Sequence, residues 1–258
     1  MNNKVIIVTG SANGIGKAIA KRLVQGGARV LIHDKDADGA RSVSAKLGDR
    51  AAFHVDDLVD PKCPGRIVEA ALDAFGQING LVNNAAFVPR ANVEATTVAL
   101  FDQAVAVNVR APFLLIQAAL PHLVPSKGCI LNIGSINANS GEPNLMAYSV
   151  AKGALQTLTR NLGDALNREY GIRVNQINPG WVLTENEHRT QLAQGMPDDW
   201  PARLSREMNP SGTLIAPETI AEAAVFWLSD SSRPVSGSVV DMEQFPLIGR
   251  SLTKHIEK

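Results

Sequence analysis

Apolar runs alternate with amphipathic stretches from one end of the sequence to the other. This predicts an α/β fold, a doubly wound parallel seven-stranded sheet with helices on both faces. Three observations carry the prediction. The runs at residues 5–8 and 130–133 are almost wholly apolar, as expected of strands buried on both faces of a parallel sheet. A glycine-rich turn at residues 9–16 stands between the first of them and a helix. The length, 258 residues with 45% hydrophobic residues and no net charge, suits one large domain with an ample core. One domain over residues 1–258 is expected, with no internal repeat and no linker.

The elements follow in order. After the strand at residues 5–8, the turn Thr9-Gly10-Ser11-Ala12-Asn13-Gly14-Ile15-Gly16 opens a helix with apolar Ile15, Ile19 and Leu23. Such a turn offers bare backbone N–H groups and the positive end of a helix dipole to an anion. Its spacing is G-x-x-x-G-x-G, unlike the commoner dinucleotide pattern. Gly10, Ser11, Asn13, Gly14, Ile15 and Gly16 are therefore expected to cradle a diphosphate. Gly26-Gly27 ends the helix, and residues 28–33 form the second strand. Asp34 at its C-terminal end is placed to accept hydrogen bonds from an adenosine ribose and to repel a 2′-phosphate. Asp36 is the better cap for the helix at 37–47, which leaves Asp34 for the ribose. No Arg or Lys occupies residues 11–15, although Lys35 directly after Asp34 could tolerate a phosphate. The balance predicts NAD.

A strand at 51–55, a helix from about 64 to 75 and a strand at 78–82 come next, ending in Asn83-Asn84-Ala85. Residues 97–123 read as a long helical stretch interrupted near Ala111-Pro112, with Asn108 just before the break. The strand at 129–133 leads to Ser135 at a strand's C-terminal end, where open parallel sheets bind ligands. A helix from about 147 to 170 carries Leu155, Leu158, Leu162 and Leu166 as a stripe. The sixth strand lies at 173–177. Residues 185–212 read as irregular and polar, and a stretch of that length in a compact domain is usually functional. A helix at 217–228 and a strand at 236–240 complete the sheet.

Within the long helix, Tyr148 and Lys152 are four apart, which puts both on one face a turn apart. A phenol titrates near ~10, and a fixed ammonium beside it favours the phenolate. The pair is a candidate general acid and base, with Ser135 thirteen residues earlier.

In order and spacing, the turn 9–16, Asn83-Asn84-Ala85, Asn108, Ser135, Tyr148, Lys152 and Pro179-Gly180 resemble the short, single-domain branch of the short-chain dehydrogenase/reductase family. The resemblance implies a Rossmann-like sheet extended by one strand. It implies that Asn108, Ser135, Tyr148 and Lys152 form the catalytic set, with Asn108 supporting a water that reaches Lys152. It implies cofactor contacts from Asp57 and Leu58 (or from Asp56, one residue earlier), from Asn84 and Ala85, and from Pro179, Gly180, Val182 and Thr184 at the nicotinamide end. Tyr148 and Lys152 would serve the cofactor as well as the chemistry. Residues 185–212 resemble a substrate-covering lid. The chain departs from the family pattern at Ala86, where a glycine is usual, and at Asp241-Met242-Glu243-Gln244, where Asp-Gly-Gly is usual.

The expected activity is NAD-dependent interconversion of a secondary alcohol and a ketone. Asn137, Asn139, Ser140, Glu142 and Asn144 favour a sugar or polyol if they face the pocket, and loop solvation is their plainer explanation. Trp181, Leu145 and Met146 would instead wall an apolar pocket for a ketone or 3-oxoacyl group. A non-catalytic nicotinamide sensor is a third reading, but it predicts a damaged Ser-Tyr-Lys set. Epimerases and dehydratases of this kind are longer. The family resemblance and the leucine stripe imply a homotetramer.

No basic excess or stripe speaks for nucleic acid, and no basic amphipathic stretch speaks for a membrane surface. The apolar start is too short for a signal peptide, and no run approaches the ~18 apolar residues of a membrane span. Cys63 and Cys129 read as free thiols of a reducing cytoplasm. His33, His54, His122, His188 and His255 are scattered, so no metal site is expected.

Overall fold

A computed structural model describes residues 1–248 of the chain; the last ten residues of the expected domain lie outside the described residues. The chain runs through β1 (Val5–Thr9), α1 (Gly14–Gln25), β2 (Arg29–Asp34), α2 (Ala37–Leu47), β3 (Ala51–Val55), α3 (Cys63–Phe75) and β4 (Gly80–Asn83). It continues with α4 (Val98–Val105), a π turn (Ala106–Arg110), α5 (Ala111–Leu123), β5 (Cys129–Ile133), a single turn α6 (Asn137–Ser140), α7 (Met146–Tyr170) and β6 (Arg173–Pro179). Last come α8 (Glu185–Ala193), the short α9 (Trp200–Arg203), α10 (Pro217–Leu228) and β7 (Val239–Met242).

The strands form one parallel sheet in the order β3-β2-β1-β4-β5-β6-β7. Successive side chains of β1 point to opposite faces. Ile6 and Val8 join Ile19, Leu23, Ile220 and Leu228 on the α1 and α10 side. Ile7 joins Ile67, Leu115, Leu166 and Ile172 on the α3, α5 and α7 side. Two cores explain why β1 has no polar alternation. The order reverses between β1 and β4, and the crevice outside the strands' carboxyl ends at such a reversal is where doubly wound sheets hold ligands.

Several boundaries differ from the sequence reading, each for a local reason. The break in the 97–123 stretch is the π turn Ala106–Arg110, which contains Asn108 and ends directly before Ala111-Pro112. Pro112 follows directly in the same continuous helical stretch, where its missing N–H removes a bond to the preceding turn. β4 starts at Gly80 rather than Ile78: the Val5 N–H donates to the Asn79 side-chain oxygen (2.7 Å) in place of a main-chain carbonyl. β7 is displaced towards Val239–Met242. The 185–212 stretch is not wholly irregular. Thr184 caps α8 by accepting from the Glu187 N–H (3.0 Å), and Glu185 and Glu187 suit the helix dipole in its first turn. Ala86, where a glycine was expected, is not among the non-glycine residues of positive φ, so its methyl is accommodated.

One further expectation is corrected. Val98–Leu123 is long and apolar enough, by length and composition, to cross a membrane. Half of that window is buried, with Ala104, Leu115, Ala119 and Leu123 inaccessible, so its apolar character serves the core.

Candidate active site

A cavity of about 1110 Å³ opens along the carboxyl ends of the strands, lined by residues that follow every one of the seven. At its β1–β3 end the main chain does most of the shaping. Gly10 has φ +63°, and a Cβ there would come within 2.6 Å of the Ala85 Cα, so only glycine closes this turn. Asn13 stands at the N-cap of α1 without a side-chain cap bond, which leaves the first N–H groups of the helix to an anion. Asn13, Gly14 and Ile15 line the cavity. Ser11 and Gly16 do not: they support the turn from behind. Ser11 is fully buried, its hydroxyl donating to the Val8 carbonyl (2.8 Å), and Gly16 packs on the carbonyl of Gly10.

Asp34 is fixed by two backbone donors, the Ala12 N–H (3.0 Å) and the Asp36 N–H (3.1 Å). Asp36 caps α2 as expected, accepting from the Gly39 N–H (3.1 Å). Asp56 is committed to Arg66 (2.6 and 2.9 Å), whose guanidinium holds its carboxyl well below the usual range. Asp57 and Leu58 line the cavity beside it, so Asp56 is a structural carboxylate and Asp57 the less engaged one. Asn84 uses its amide to clamp the carbonyls of Thr9 (2.9 Å) and Gly10 (2.8 Å), while Thr9 accepts from the N–H groups of Asn84 and Ala85 (both 3.1 Å). Asn84 and Ala85 thus tie β4 to the turn and line the cavity. A bare helix start at one place and a fixed carboxylate at the end of β2 fit a dinucleotide.

Ser135, Tyr148 and Lys152 meet at the middle of the cavity. Ser135 is buried; its Oγ accepts from the Asn137 N–H (3.2 Å), which leaves its proton to donate. Lys152 is 1% exposed and donates to the Ile133 carbonyl (2.7 Å), with its ammonium 5.5 Å from the centre of the Tyr148 ring. Burial acts on both members of this pair. Burial pushes the Tyr148 phenol up to about 12, against a smaller downward pull from its hydrogen bond with Ser135. Burial also pulls Lys152 down to about 7. Tyr148 keeps some accessible surface as a lining residue, yet burial is the larger of the two effects on its phenol. Asn108 lies behind this group and off the cavity wall. It is fully buried, its amide donating to the carbonyls of Phe87 (2.8 Å) and Ala104 (2.9 Å) and accepting from the Phe87 N–H (3.3 Å).

A chain of buried amides holds Ser135 from below. Asn83 donates to Asn132 (2.8 Å), Asn132 to Thr159 (2.8 Å), Thr159 to Gln176 (2.7 Å), and Gln176 to Asn178 (2.7 Å). Asn178 Oδ1 also accepts from the Ser135 N–H (3.2 Å). Its amide donates to Gln156 (2.9 Å) and Asp241 (2.9 Å). A network satisfied at this many points fixes the strand ends that carry the hydroxyl.

At the β5–β7 end, Pro179, Gly180, Val182 and Thr184 line the cavity as the resemblance implied. Of the polar residues singled out between Ser135 and Tyr148, Asn137, Glu142 and Asn144 line it, and Asn139 and Ser140 do not. Asn139 turns away to donate to Asp241 (3.0 Å), and Ser140 bonds the Ile136 carbonyl (3.3 Å). Trp181 and Leu145 reach the cavity and Met146 does not. Arg90, Glu187, Gln191, Met208, Glu243 and Phe245 line it without having been singled out for the pocket by the sequence. No spacing signal marks them, since they come from loops, from α8 and from the segment after β7. Glu187 gathers donors from Arg90 (3.2 Å), Trp181 (3.0 Å) and Gln191 (2.8 Å), which ties α8 to the loop after β4. Among the described residues no group of His, Cys, Asp and Glu could hold a metal ion.

Comparisons with known proteins agree with this geometry. Residues 10–244 match the family model described as enoyl-(acyl carrier protein) reductase. The short-chain dehydrogenase/reductase FrzI of Cladobotryum sp is 35% identical over 249 residues, 93% of this chain and 94% of that protein. The L-fucose dehydrogenase of Mus musculus is 34% identical over 233 residues, 90% of this chain and 84% of that protein. A crystal structure of 3-ketoacyl-(acyl-carrier-protein) reductase from Brucella melitensis complexed with NADH superposes with a TM-score of 0.82. It is 33% identical and covers 93% of this chain and 96% of that one. The chain belongs to the short-chain dehydrogenase/reductase family and is an oxidoreductase that works with a nicotinamide cofactor.

Proposed function

We propose that the protein is an NAD-preferring dehydrogenase acting on a secondary alcohol of a sugar, polyol or similarly polar substrate, with the ketone as product. The observation that carries this reading is one cavity with Asp34 at one end, Ser135, Tyr148 and Lys152 in the middle, and Asn137, Glu142, Asn144 and Gln191 beyond them. Kinship with L-fucose dehydrogenase supports a sugar.

The bound cofactor supplies the hydride acceptor or donor. Gly10, Ser11, Asn13, Gly14, Ile15 and Gly16 build its diphosphate cradle. Asp34, Asp57, Leu58, Asn84 and Ala85 serve its adenosine half, and Pro179, Gly180, Val182 and Thr184 its nicotinamide half. The Thr184 hydroxyl accepts at the cap of α8, so its proton is available to a carboxamide. Ser135 donates to the substrate oxygen and stabilises its developing charge. Tyr148 gives a proton in reduction and takes one in oxidation. Lys152 binds the ribose and favours the phenolate at the moment it forms, and Asn108 holds the turn behind them that admits a water.

The same reading has the 1–258 chain as one nicotinamide-binding domain, with residues 185–212 as the lid. It works in the cytoplasm, where the buried free thiols Cys63 and Cys129 stay reduced. It assembles as a homotetramer, supported by exposed Phe113 on α5 and Val150 on α7. A monomeric mass by light scattering at micromolar concentration refutes the assembly.

Leu145, Trp181, Met208 and Phe245 line the same cavity, which favours a second reading as a reductase of an apolar ketone or 3-oxoacyl substrate. The deciding measurement is a spectrophotometric screen with NAD and NADP. Sugars and polyols should reduce NAD. Turnover confined to hydrophobic alcohols or ketones moves the assignment to the second reading.

A further inference from the structure

Strand β7 ends the sheet on the side opposite β3, so the segment after it faces the part of the cavity farthest from Asp34. Glu243 stands there and lines the cavity. Both of its carboxylate oxygens are anchored by main chain. Oε2 accepts from the Trp181 N–H (3.1 Å), just beyond β6, and Oε1 accepts from the Gln244 N–H (2.7 Å). The seat exists because residue 180 is glycine: a Cβ on Gly180 would overlap the Glu243 carboxylate. The neighbouring strand end is that of Ser135, since the Ile136 N–H donates to the Pro179 carbonyl (3.1 Å).

Resting on the polar-substrate reading above, we propose that Glu243 is a specificity-determining residue. It is a fixed acceptor for a hydroxyl that the substrate carries away from its reacting carbon, and it selects neutral polyhydroxy substrates over those with an anionic tail. A carboxylate offers about four lone-pair sites, and the two anchors use two of them. The remaining acceptors belong to a half-buried group that needs no reorganisation to receive an O–H, and a hydrogen bond to a charged acceptor is roughly twice as strong as a neutral one. Among the described residues no cation lies within ion-pair distance of Glu243, and none of them offsets its charge toward the cavity. The lysines and arginines among the described lining residues are placed elsewhere. Lys35 sits beside Asp34, Lys152 donates to the Ile133 carbonyl, and Arg90 pairs with Glu187. A phosphate or sulfonate tail would meet a carboxylate, whereas a neutral hydroxyl meets an acceptor.

The test uses the full chain, its E243Q and E243A variants, and neutral hexoses and hexitols as probes with NAD. E243A should raise KM for the best probe about 10- to 100-fold while kcat changes little. E243Q, which keeps one acceptor oxygen and the shape, should give a smaller rise. NADH affinity, read by fluorescence titration, should stay within about twofold in both variants. Unchanged KM overturns the proposal, and so does a parallel loss of kcat and NADH affinity, because Glu243 would then only brace the main chain. An amino sugar preferred over its neutral counterpart, with the preference lost in E243Q, assigns the carboxylate to an ammonium and overturns it as well. If the unmutated protein oxidises none of these probes, the polar-substrate reading falls and this proposal with it. If it oxidises them and the variants are indifferent, only this proposal falls.

Discussion

At the β1–β3 end of the cavity the ligand-facing groups are held by main chain: the tight turn at Gly10, the uncapped start of α1, and Asp34 pinned between two backbone N–H groups. At the β5–β7 end they are side chains drawn from distant segments, Asn137 and Glu142 before α7, Glu187 and Gln191 on α8, Met208 beyond α9, and Glu243 after β7. The first kind of site demands glycine at a few spacings and tolerates most residues elsewhere. The second can be rewritten one side chain at a time without disturbing the sheet. One end therefore suits a cofactor shared by many enzymes, and the side chains around the Pro179-Gly180 main chain at the other suit a substrate particular to one. Changes at the first end should shift cofactor choice alone, changes at the second substrate alone, and changes between them should stop turnover.

The largest effect is expected between the two ends. Tyr148→Phe removes the phenolic proton but leaves the ring to pack, and turnover should fall by at least ~100-fold with NADH affinity little changed. Near-normal turnover would end the assignment of Tyr148 as acid and base. With the phenol pushed up to about 12, the base required for oxidation is scarce at neutral pH, so kcat/KM for oxidation should rise with pH from 6 to 9 without a plateau. A plateau below pH 8 would mean that another group, or a phenol far more acidic than burial allows, takes the proton.

At the cofactor end, Asp34→Ala should narrow the ratio of NAD to NADP affinity by about tenfold. The carboxylate facing a 2′-phosphate costs on the order of one pKa unit of like-charge repulsion. Titration calorimetry with both cofactors measures this, and equal affinities in the unmutated protein would refute the role. The substrate KM should not follow the cofactor ratio; if it does, the two ends are coupled and the contrast between them is weaker than it looks.

The two ends also differ in how far the sequence announces them. Apolar strands, the turn at residues 9–16, the Asp36 cap and the Tyr148–Lys152 spacing are local patterns, and local patterns survive in one dimension. The strand order follows from alternation and the preferred handedness of crossovers. Glu187 and Glu243 look like ordinary surface carboxylates until α8 and β7 fold against Trp181. Asn139 and Ser140 look like pocket residues because they lie between Ser135 and Tyr148, yet the turn Asn137–Ser140 directs them elsewhere. The sign of the shift at Tyr148 was illegible for another reason. Spacing reports a neighbouring charge but not the water lost by both groups, and here the loss is larger.

That loss has a consequence for stability. In the unfolded chain Lys152 holds its proton up to about 10.4, whereas in the fold it does so only below about 7. Between those values the unfolded state binds more protons, so the contribution of Lys152 to stability improves as pH rises and is worst below pH 7. Lys152→Met removes the buried ammonium. Its melting temperature should exceed that of the unmutated protein by at least about 4 °C at pH 6, and the gap should shrink toward pH 9. A gap independent of pH would place the ammonium in a solvated setting.

The smallest effect is expected at the rim of the substrate end, where Arg90 meets Glu187 at 3.2 Å. The side chains are 35% and 22% exposed, so water screens the pair and its direct contribution is about 0–1 kcal/mol. Glu187 would not be stranded by the loss of Arg90, because Trp181 and Gln191 still donate to it. Arg90→Gln should therefore leave the melting temperature within about 2 °C. What it removes is a tie between the loop after β4 and α8, two segments that meet across the mouth of the cavity. A looser mouth weakens substrate binding without touching Ser135 or Tyr148, so KM should rise about two- to fivefold at constant kcat, within the scale of a single exposed ion pair. The cofactor KM should move less than about twofold, because the Thr184 cap on the Glu187 N–H does not depend on Arg90. A fall in kcat of tenfold or more would show that the rim positions the reacting groups, and that the cavity's two ends cannot be varied separately.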